Sequence, residues 1–335
     1  MLIFATLSPR KPLPFLKKKG RGTEGARVTG CIYRMMDDSS YVRVNSARAW
    51  LLAARPKTLS AACVPVFIGL ALAFRDIGGG EFLILPAILC LMFAVTMQID
   101  ANYVNDYFDY INGNDNEERL GPRRACAMGW VSPAAMRRAI GATTVLACLF
   151  GLPLIIYGGM EMALIGAVCV AFCFLYSTHL SRKGLGDVLV IVFFGVIPVS
   201  AVYYIQAHGI TLSVMMAALS CGLVVDTLLL VNNYRDADND RKAGKRTLIV
   251  KIGTRAGASL YLAAGLSACG ICAVSFAFAH DWTAALLPLA YLPLHLTSYR
   301  RMVKIGKGRE LNAVLGNTGR NILAFGILLA VGIVM

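Results

Sequence analysis

Charge is the first scarcity in this chain. Only 16% of its 335 residues are Asp, Glu, Lys or Arg, against 57% hydrophobic residues. With a mean hydropathy of +0.62, the chain has too little polar surface to face water on all sides, which excludes an ordinary soluble domain. Histidine is scarce too: His179, His208, His280 and His295 fall near the ends of apolar segments and share no face, so no His-based chemistry is assigned. The 10 cysteines sit mostly inside apolar runs, where thiols act as small hydrophobes. Cys269 and Cys272 form a CxxC with no second pair, which excludes a metal site or a disulfide framework as the reading.

The leading residues also lack any sustained apolar run, so they are not a signal peptide. Residues 1–34 carry eight Lys/Arg against one acid, Glu24, and three readings stay open: a basic arm drawn to anionic lipid, an organellar transit segment, or a true start at Met35 or Met36. We take residues 1–45 as an unstructured or spurious leader without catalytic role, and 46–335 as a transmembrane domain.

What the chain has in abundance is long apolar runs. A membrane helix takes about 20 apolar residues. Nine segments qualify, at 58–75, 82–105, 133–157, 160–177, 186–206, 211–233, 255–279, 282–297 and 319–335, the eighth being short and followed by a polar stretch. The expected fold is therefore an all-α polytopic bundle of nine transmembrane helices. In that arrangement 32 of the 33 Lys and Arg fall on one side and only Arg75 on the other. The positive-inside rule makes that side cytoplasmic, with the N-terminus inside. The net charge of +14 then belongs to cytoplasmic loops and an anionic ligand, not to nucleic acid.

The second segment ends in Asn105-Asp106-Tyr107-Phe108-Asp109, and the sixth ends in the related string Asn232-Asn233-Tyr234-Arg235-Asp236-Ala237-Asp238-Asn239-Asp240. Four segments separate them, so parallel repeats would face two acidic ends across a bundle on the cytoplasmic side. Asn105 and Asp109 are four apart, as are Asp236 and Asp240, so each pair puts two oxygen ligands on one helix face. Such oxygens suit Mg2+, which prefers a few carboxylates plus phosphate oxygens, and the Lys and Arg after each cluster would neutralise the remaining phosphate charge. Solvated loop acids are the usual explanation of one such cluster; two on one side are harder to dismiss. Asn102 and Gln98, one and two turns above the first cluster, point it toward a polar cavity. For Asp226 a cavity-lining and a structural role stand equal.

These strings resemble the UbiA superfamily of intramembrane prenyltransferases. Its first motif, NDxxDxxxD, is similar to Asn105-Asp106-x-x-Asp109, and its second, DxxxD, to Asp236 through Asp240. The last Asp of the first motif falls on Gly113, with Asp115 two residues on, and the stretch NDYFDYINGNDNEERLGPRRACAMGWVSP is similar to the branch that prenylates 1,4-dihydroxy-2-naphthoate in menaquinone synthesis. Further agreement lies in Arg55-Pro56-Lys57-Thr58-Leu59, in Tyr176-Ser177 with Lys183-Gly184-Leu185-Gly186-Asp187, and in the string after the sixth segment, so the likeness covers residues 48 to 335.

The resemblance implies a polyprenyl diphosphate and an aromatic acid acceptor as substrates, membrane lipid around the chain, no nucleic acid, and Mg2+ as cofactor. It implies loss of diphosphate, capture of the allylic carbon by the naphthoate ring, and departure of CO2. The site would lie at the cytoplasmic mouth of a multi-pass protein of the inner (cytoplasmic) membrane. Asn105, Asp109, Asp236 and Asp240 are the expected Mg2+ ligands, with Asp106 as a further ligand or an orienter. Asp109, Asp236 and Asp240 carry the catalytic expectation. Arg119, Lys183 and Lys245 are candidates for diphosphate, Lys183 through a family-like spacing seven residues beyond Tyr176. Arg55 and Lys57 are either interfacial charges or anion ligands, and Tyr176 is expected to cover the reacting carbon. No general base stands out. A transporter is disfavoured because the acids lie at the mouth rather than mid-bilayer, and the second and sixth segments lack paired midspan Gly/Pro breaks.

Overall fold

The computed structural model describes residues 42–113, 119–178, 180 and 183–335. Residues 1–41 of the basic leader, Asp115 and His179 lie outside the described residues. Residues Arg43–Met335 form one unit, and its elements among the described residues are helices.

The chain enters through α1 (Ala47–Ala54), turns at Arg55 and a 3-10 turn (Pro56–Thr58), and continues as α2 (Leu59–Ile77). Arg55 takes the left-handed conformation, with φ 51° and ψ 69°, because the proline after it disfavours continuing the right-handed helix. Asn102 pins this corner, donating to the Ala54 carbonyl at 2.8 Å and to Thr58 Oγ1 at 3.0 Å. It is therefore a brace between segments and does not line the polar cavity, as its position in the sequence had suggested.

Next come α3 (Ile84–Ile111), α4 (Pro133–Gly151), a one-turn α5 (Leu154–Gly158) and α6 (Met160–Thr178). Asp100, fully buried in α3, accepts from Thr143 and Thr144 of α4, which supplies an acid in the apolar interior with its partners. The chain then forms α7 (Gly186–Ile191), a π turn (Val192–Val196), α8 (Ile197–Ala207) and α9 (Leu212–Lys242). After α10 (Leu248–Ile252) follow α11 (Thr254–Phe278), α12 (Trp282–Leu286), a 3-10 turn (Leu287–Tyr291), α13 (Leu292–Ile305) and α14 (Leu311–Val334).

Among the described residues, seven helical runs are long and apolar enough to cross a membrane, and Met160–Tyr176 is a shorter apolar helix. The eighth expected segment is broken by its 3-10 turn, which Pro288 begins to unwind, and resumes as α13. α3 and α9 run past the expected ends at 105 and 233, so both acidic clusters are helical.

α9 is the most buried of the seven long runs, and it packs on α11, α7 and the π turn. α2 packs on α14 and α8, and α3 on α4. Facing away from these contacts, α4 and α5 leave Leu149 and Ile156 exposed, large apolar side chains that suit lipid. Two glycines set the closest crossing: a Cβ on Gly195 would meet the Gly222 backbone at 2.5 Å, and one on Gly222 would meet the Ile191 carbonyl at 2.6 Å. Small residues that let helix backbones touch are the usual device for packing inside a membrane.

Candidate active site

The C-terminal ends of α3 and α9 line one cavity of about 1340 Å³. Each end is polar because the helix continues beyond its apolar stretch, and one helical turn separates Asn105 from Asp109 and Asp236 from Asp240. All four side chains expected to ligate a cation are on the wall, joined by Arg55, Lys57, Arg119 and Lys245. Gln98 also lines it, with Oε1 buried and unpartnered among the described residues. The far part of the cavity is apolar, lined by Phe93, Leu152, Ile155, Met162 and Val202.

Asp106 does not line the cavity. It is 1% exposed, and its two oxygens accept the backbone N–H groups of Ala125 and Cys126, each at 2.8 Å. Of the two expected roles, ligand or orienter, its geometry favours the second: Asp106 fixes the loop that carries Arg124. Arg124 Nη2 in turn donates to Asp109 at 2.9 Å, while its buried Nε and Nη1 have no partner among the described residues. A guanidinium with two donors to spare, beside the expected cation ligands, is suited to phosphate oxygens. The sequence offered Arg124 only as one basic residue among several.

Lys183 is the second correction. Its side chain is exposed and does not line the cavity, and its carbonyl accepts from Lys251 Nζ at 2.8 Å. Lys245 does line the cavity, 3.7 Å from Asp240.

Asp236 is held by its neighbour. Arg235, 4% exposed, donates Nε and Nη2 to the two Asp236 oxygens at 2.9 and 2.6 Å, Nη2 to Asn232 at 2.8 Å, and Nη1 to Asn312 of α14 at 2.7 Å. Asn312 Nδ2 then donates to the Leu120 carbonyl at 2.8 Å, which joins α9, α14 and the loop after α3. Gly121 leaves room for this, since a Cβ there would lie 2.7 Å from Arg235 Nη2.

Tyr176 lines the cavity together with two aromatics that sequence reasoning did not single out. Phe172 and Phe193 stack with centroids 3.6 Å apart and planes at 2°, and Tyr176 lies 5.5 Å from Phe172. The π turn presents Phe193 and Phe194 to the cavity, a use of an irregular turn that periodicity does not reveal. Ring faces on this wall can stabilise positive charge.

Among the described residues, no three His, Cys, Asp or Glu side chains stand close enough to form a metal cage. The donors on the wall are hard oxygens with cationic side chains interleaved. That set fits a divalent cation that draws its remaining ligands from a bound phosphate and from water.

The chain matches the model of the UbiA prenyltransferase family over residues 62–330. It is 36% identical over 220 residues to the 1,4-dihydroxy-2-naphthoate octaprenyltransferase of Escherichia coli K12, covering 63% of this chain and 70% of that one. It is 33% identical over 300 residues to the enzyme of the same name from Haemophilus influenzae, covering 86% and 96%. Its fold is similar to that of a UbiA homologue from Archaeoglobus fulgidus solved with GPP and Mg2+, at TM-score 0.57 and 14% identity, covering 84% of this chain and 99% of that one.

Proposed function

The chain belongs to the UbiA prenyltransferase family, and from that premise we propose that it transfers a polyprenyl group from its diphosphate to 1,4-dihydroxy-2-naphthoate, with release of diphosphate and CO2. It is a multi-pass integral membrane enzyme. The observation that carries the reading is a single cavity with an oxyanion-binding end built from α3 and α9 and an apolar remainder. The diphosphate takes the first and the prenyl chain the second.

Asn105, Asp109, Asp236 and Asp240 would hold Mg2+, as the donor set and the Mg2+-bound relative support. Bound there, Mg2+ would neutralise diphosphate charge and so improve the leaving group. This chain's own residues do the rest. Arg124 and Lys245 stand beside Asp109 and Asp240, placed to meet charge that grows on the leaving oxygen. Arg119 lines the same end. Asp106 and Arg235 position Asp109 and Asp236, and neither needs to touch substrate. Tyr176, with Phe172 and Phe193 beside it, shields the allylic carbon from water as the C–O bond stretches and faces its developing positive charge. Arg55 and Lys57 meet the acceptor's carboxylate or the diphosphate from the α1–α2 corner. The distribution of Lys and Arg supports a cytoplasmic mouth in the inner membrane.

The test is to incubate membranes containing the protein with carboxyl-labelled 1,4-dihydroxy-2-naphthoate, a polyprenyl diphosphate and Mg2+. Prenylated quinol and labelled CO2 are expected together, both lost in EDTA and in Asp236→Ala. Transfer to 4-hydroxybenzoate or homogentisate instead, with the naphthoate untouched, would replace the acceptor. No transfer to any acceptor would defeat the reading.

A further inference from the structure

The proposed reaction leaves one part of the cavity without a task. Asp187 lines the wall at 6% exposure, yet neither of its carboxylate oxygens has a hydrogen-bond partner among the described residues. Behind it on α9 lies Asp226, 3% exposed, with Oδ1 also unpartnered, close enough for the two carboxyls to interact electrostatically with each other and with Tyr176. A buried polar oxygen without a hydrogen bond is costly, about 1–3 kcal/mol for a neutral group and more for a charged one. Asp100 and Asp106, the other deeply buried acids of the bundle, are both satisfied by hydrogen bonds.

The backbone is shaped to hold Asp187 there. Gly184 takes φ +79°, where a Cβ would stand 2.5 Å from the Arg246 carbonyl. A Cβ on Gly186 would contact Leu229 at 3.3 Å and the Tyr176 hydroxyl at 3.6 Å. Together with the Gly195–Gly222 crossing, these glycines draw α7 onto α9 and set Asp187 beside Tyr176.

We infer that Asp187, backed by Asp226, is a catalytic residue that accepts the proton of the acceptor's hydroxyl group. The inference rests on the proposed transfer to a hydroxylated aromatic acid. In the naphthoate a hydroxyl stands on the carbon next to the one bearing the carboxylate. Its O–H bond breaks and the proton moves to an Asp187 oxygen. The carboxylate-bearing carbon forms a C–C bond to the allylic carbon, whose C–O bond breaks with the electron pair leaving on diphosphate. The result is a β-keto carboxylate. Its bond to CO2 then breaks, the electron pair generates an enolate, and the enolate oxygen recovers the proton from Asp187. The proton is borrowed and returned, so no external base is consumed.

Asp226 acts through Asp187, as a positioning residue. Tyr176 lies between them and the phenylalanines, so the acceptor ring is led to stack where its hydroxyl meets Asp187.

The experiment uses the full-length enzyme in detergent, assayed with 1,4-dihydroxy-2-naphthoate and with its methyl ether at the hydroxyl next to the carboxylate, which has no proton to give. Wild type is expected to turn over the ether at least about 100-fold more slowly than the free naphthol, the range of a general base. Asp187→Asn is expected to lose about 100-fold in kcat on the free naphthol. It should treat the two acceptors within a few-fold of each other and keep the wild-type KM for polyprenyl diphosphate. Asp187→Glu, which restores a carboxylate, should be more active than Asp187→Asn. Asp226→Asn should raise the KM for the naphthoate while keeping the preference for naphthol over ether. Full activity in Asp187→Asn, or an undiminished preference for the naphthol over the ether in that variant, overturns the inference while leaving the transfer reaction standing. If Asp187→Asn does not fold, an Asp187→Glu enzyme that folds but is no more active than a Tyr176→Ala enzyme also overturns it. A wild-type enzyme that prenylates no hydroxylated acceptor overturns the reading on which the inference rests.

Discussion

Asp106 and Asp109 are three residues apart on one helix, and only their partners separate their roles. Asp106 is consumed by two backbone N–H groups, whereas Asp109 meets Arg124 on the cavity wall. Asp106→Ala leaves two buried donors unpaired and releases the loop that carries Arg124, at a cost of about 1–3 kcal/mol for each donor. We expect a lower Tm in detergent and a raised KM for polyprenyl diphosphate. Asp109→Asn, by contrast, keeps an oxygen to accept from Arg124 and should hold its Tm while losing at least about 100-fold in kcat, because it removes a charge expected to hold the cation that meets the leaving group. Thermal unfolding and steady-state kinetics on the two variants test this, and equal Tm losses would dissolve the distinction. Arg235→Lys follows the same logic. A lysine cannot reproduce a fork that reaches Asp236, Asn232 and Asn312 at once, so a loss of about 10-fold or more in kcat is expected even though the charge is kept.

At the level of whole helices, the site depends on how closely α7 and the π turn approach α9. Gly222→Val forces a branched side chain into the Ile191 carbonyl, and overpacking of this kind costs about 1–3 kcal/mol or more. The expected outcome is a lower Tm and an impaired acceptor KM, since the crossing positions Asp187. Gly141→Ala on α4 serves as the control: nothing lies within 4 Å of a Cβ there, and alanine favours helix, so its Tm should stay level or rise. The same elements show what the sequence could convey. The apolar runs were readable because lipid demands about 20 such residues in a row, and the i, i+4 spacing put Asn105, Asp109, Asp236 and Asp240 on the cavity wall as expected. The polar ends of α3 and α9 were cut short, because a rule tuned to hydrocarbon stops where the hydrocarbon stops. Asp106 stood open between ligand and orienter because its partners, the N–H groups of Ala125 and Cys126, come from a loop whose path spacing does not encode. Asp187 entered only as the last residue of the string Lys183-Gly184-Leu185-Gly186-Asp187 and drew no role of its own. Only packing reveals that its oxygens are buried and unmatched.

Across the whole molecule, the basic residues and the cavity mouth make one argument about orientation. A diphosphate carries too much charge to pass through hydrocarbon, so with the proposed substrate the polar end of the cavity would open on the side where the diphosphate is made. Thirty-two of 33 Lys and Arg fall on that side if the chain crosses nine times from a cytoplasmic start, and this puts Met335 outside. Arg75, the exception, is paired with Asp76 at 2.7 Å and Asp281 at 3.2 Å, as suits a lone cation on the face with few positive charges. The parity of the crossings rests on two elements, the short α6 and the broken run from α12 to α13. If both cross, alkaline phosphatase fused after Met335 is active and green fluorescent protein fused there is dark. If one of them turns back, the two reporters exchange. A second pair of fusions after Gly159 and after Lys183 then separates the cases, because α6 lies between them. Opposite reporter states across α6 and an outside C-terminus require the broken α12–α13 run to cross as well, so its 3-10 turn would sit inside the membrane, where only neighbouring helices can satisfy its backbone. The buried Pro288 carbonyl, which accepts from Cys269 of α11 at 3.6 Å, is already satisfied in that way.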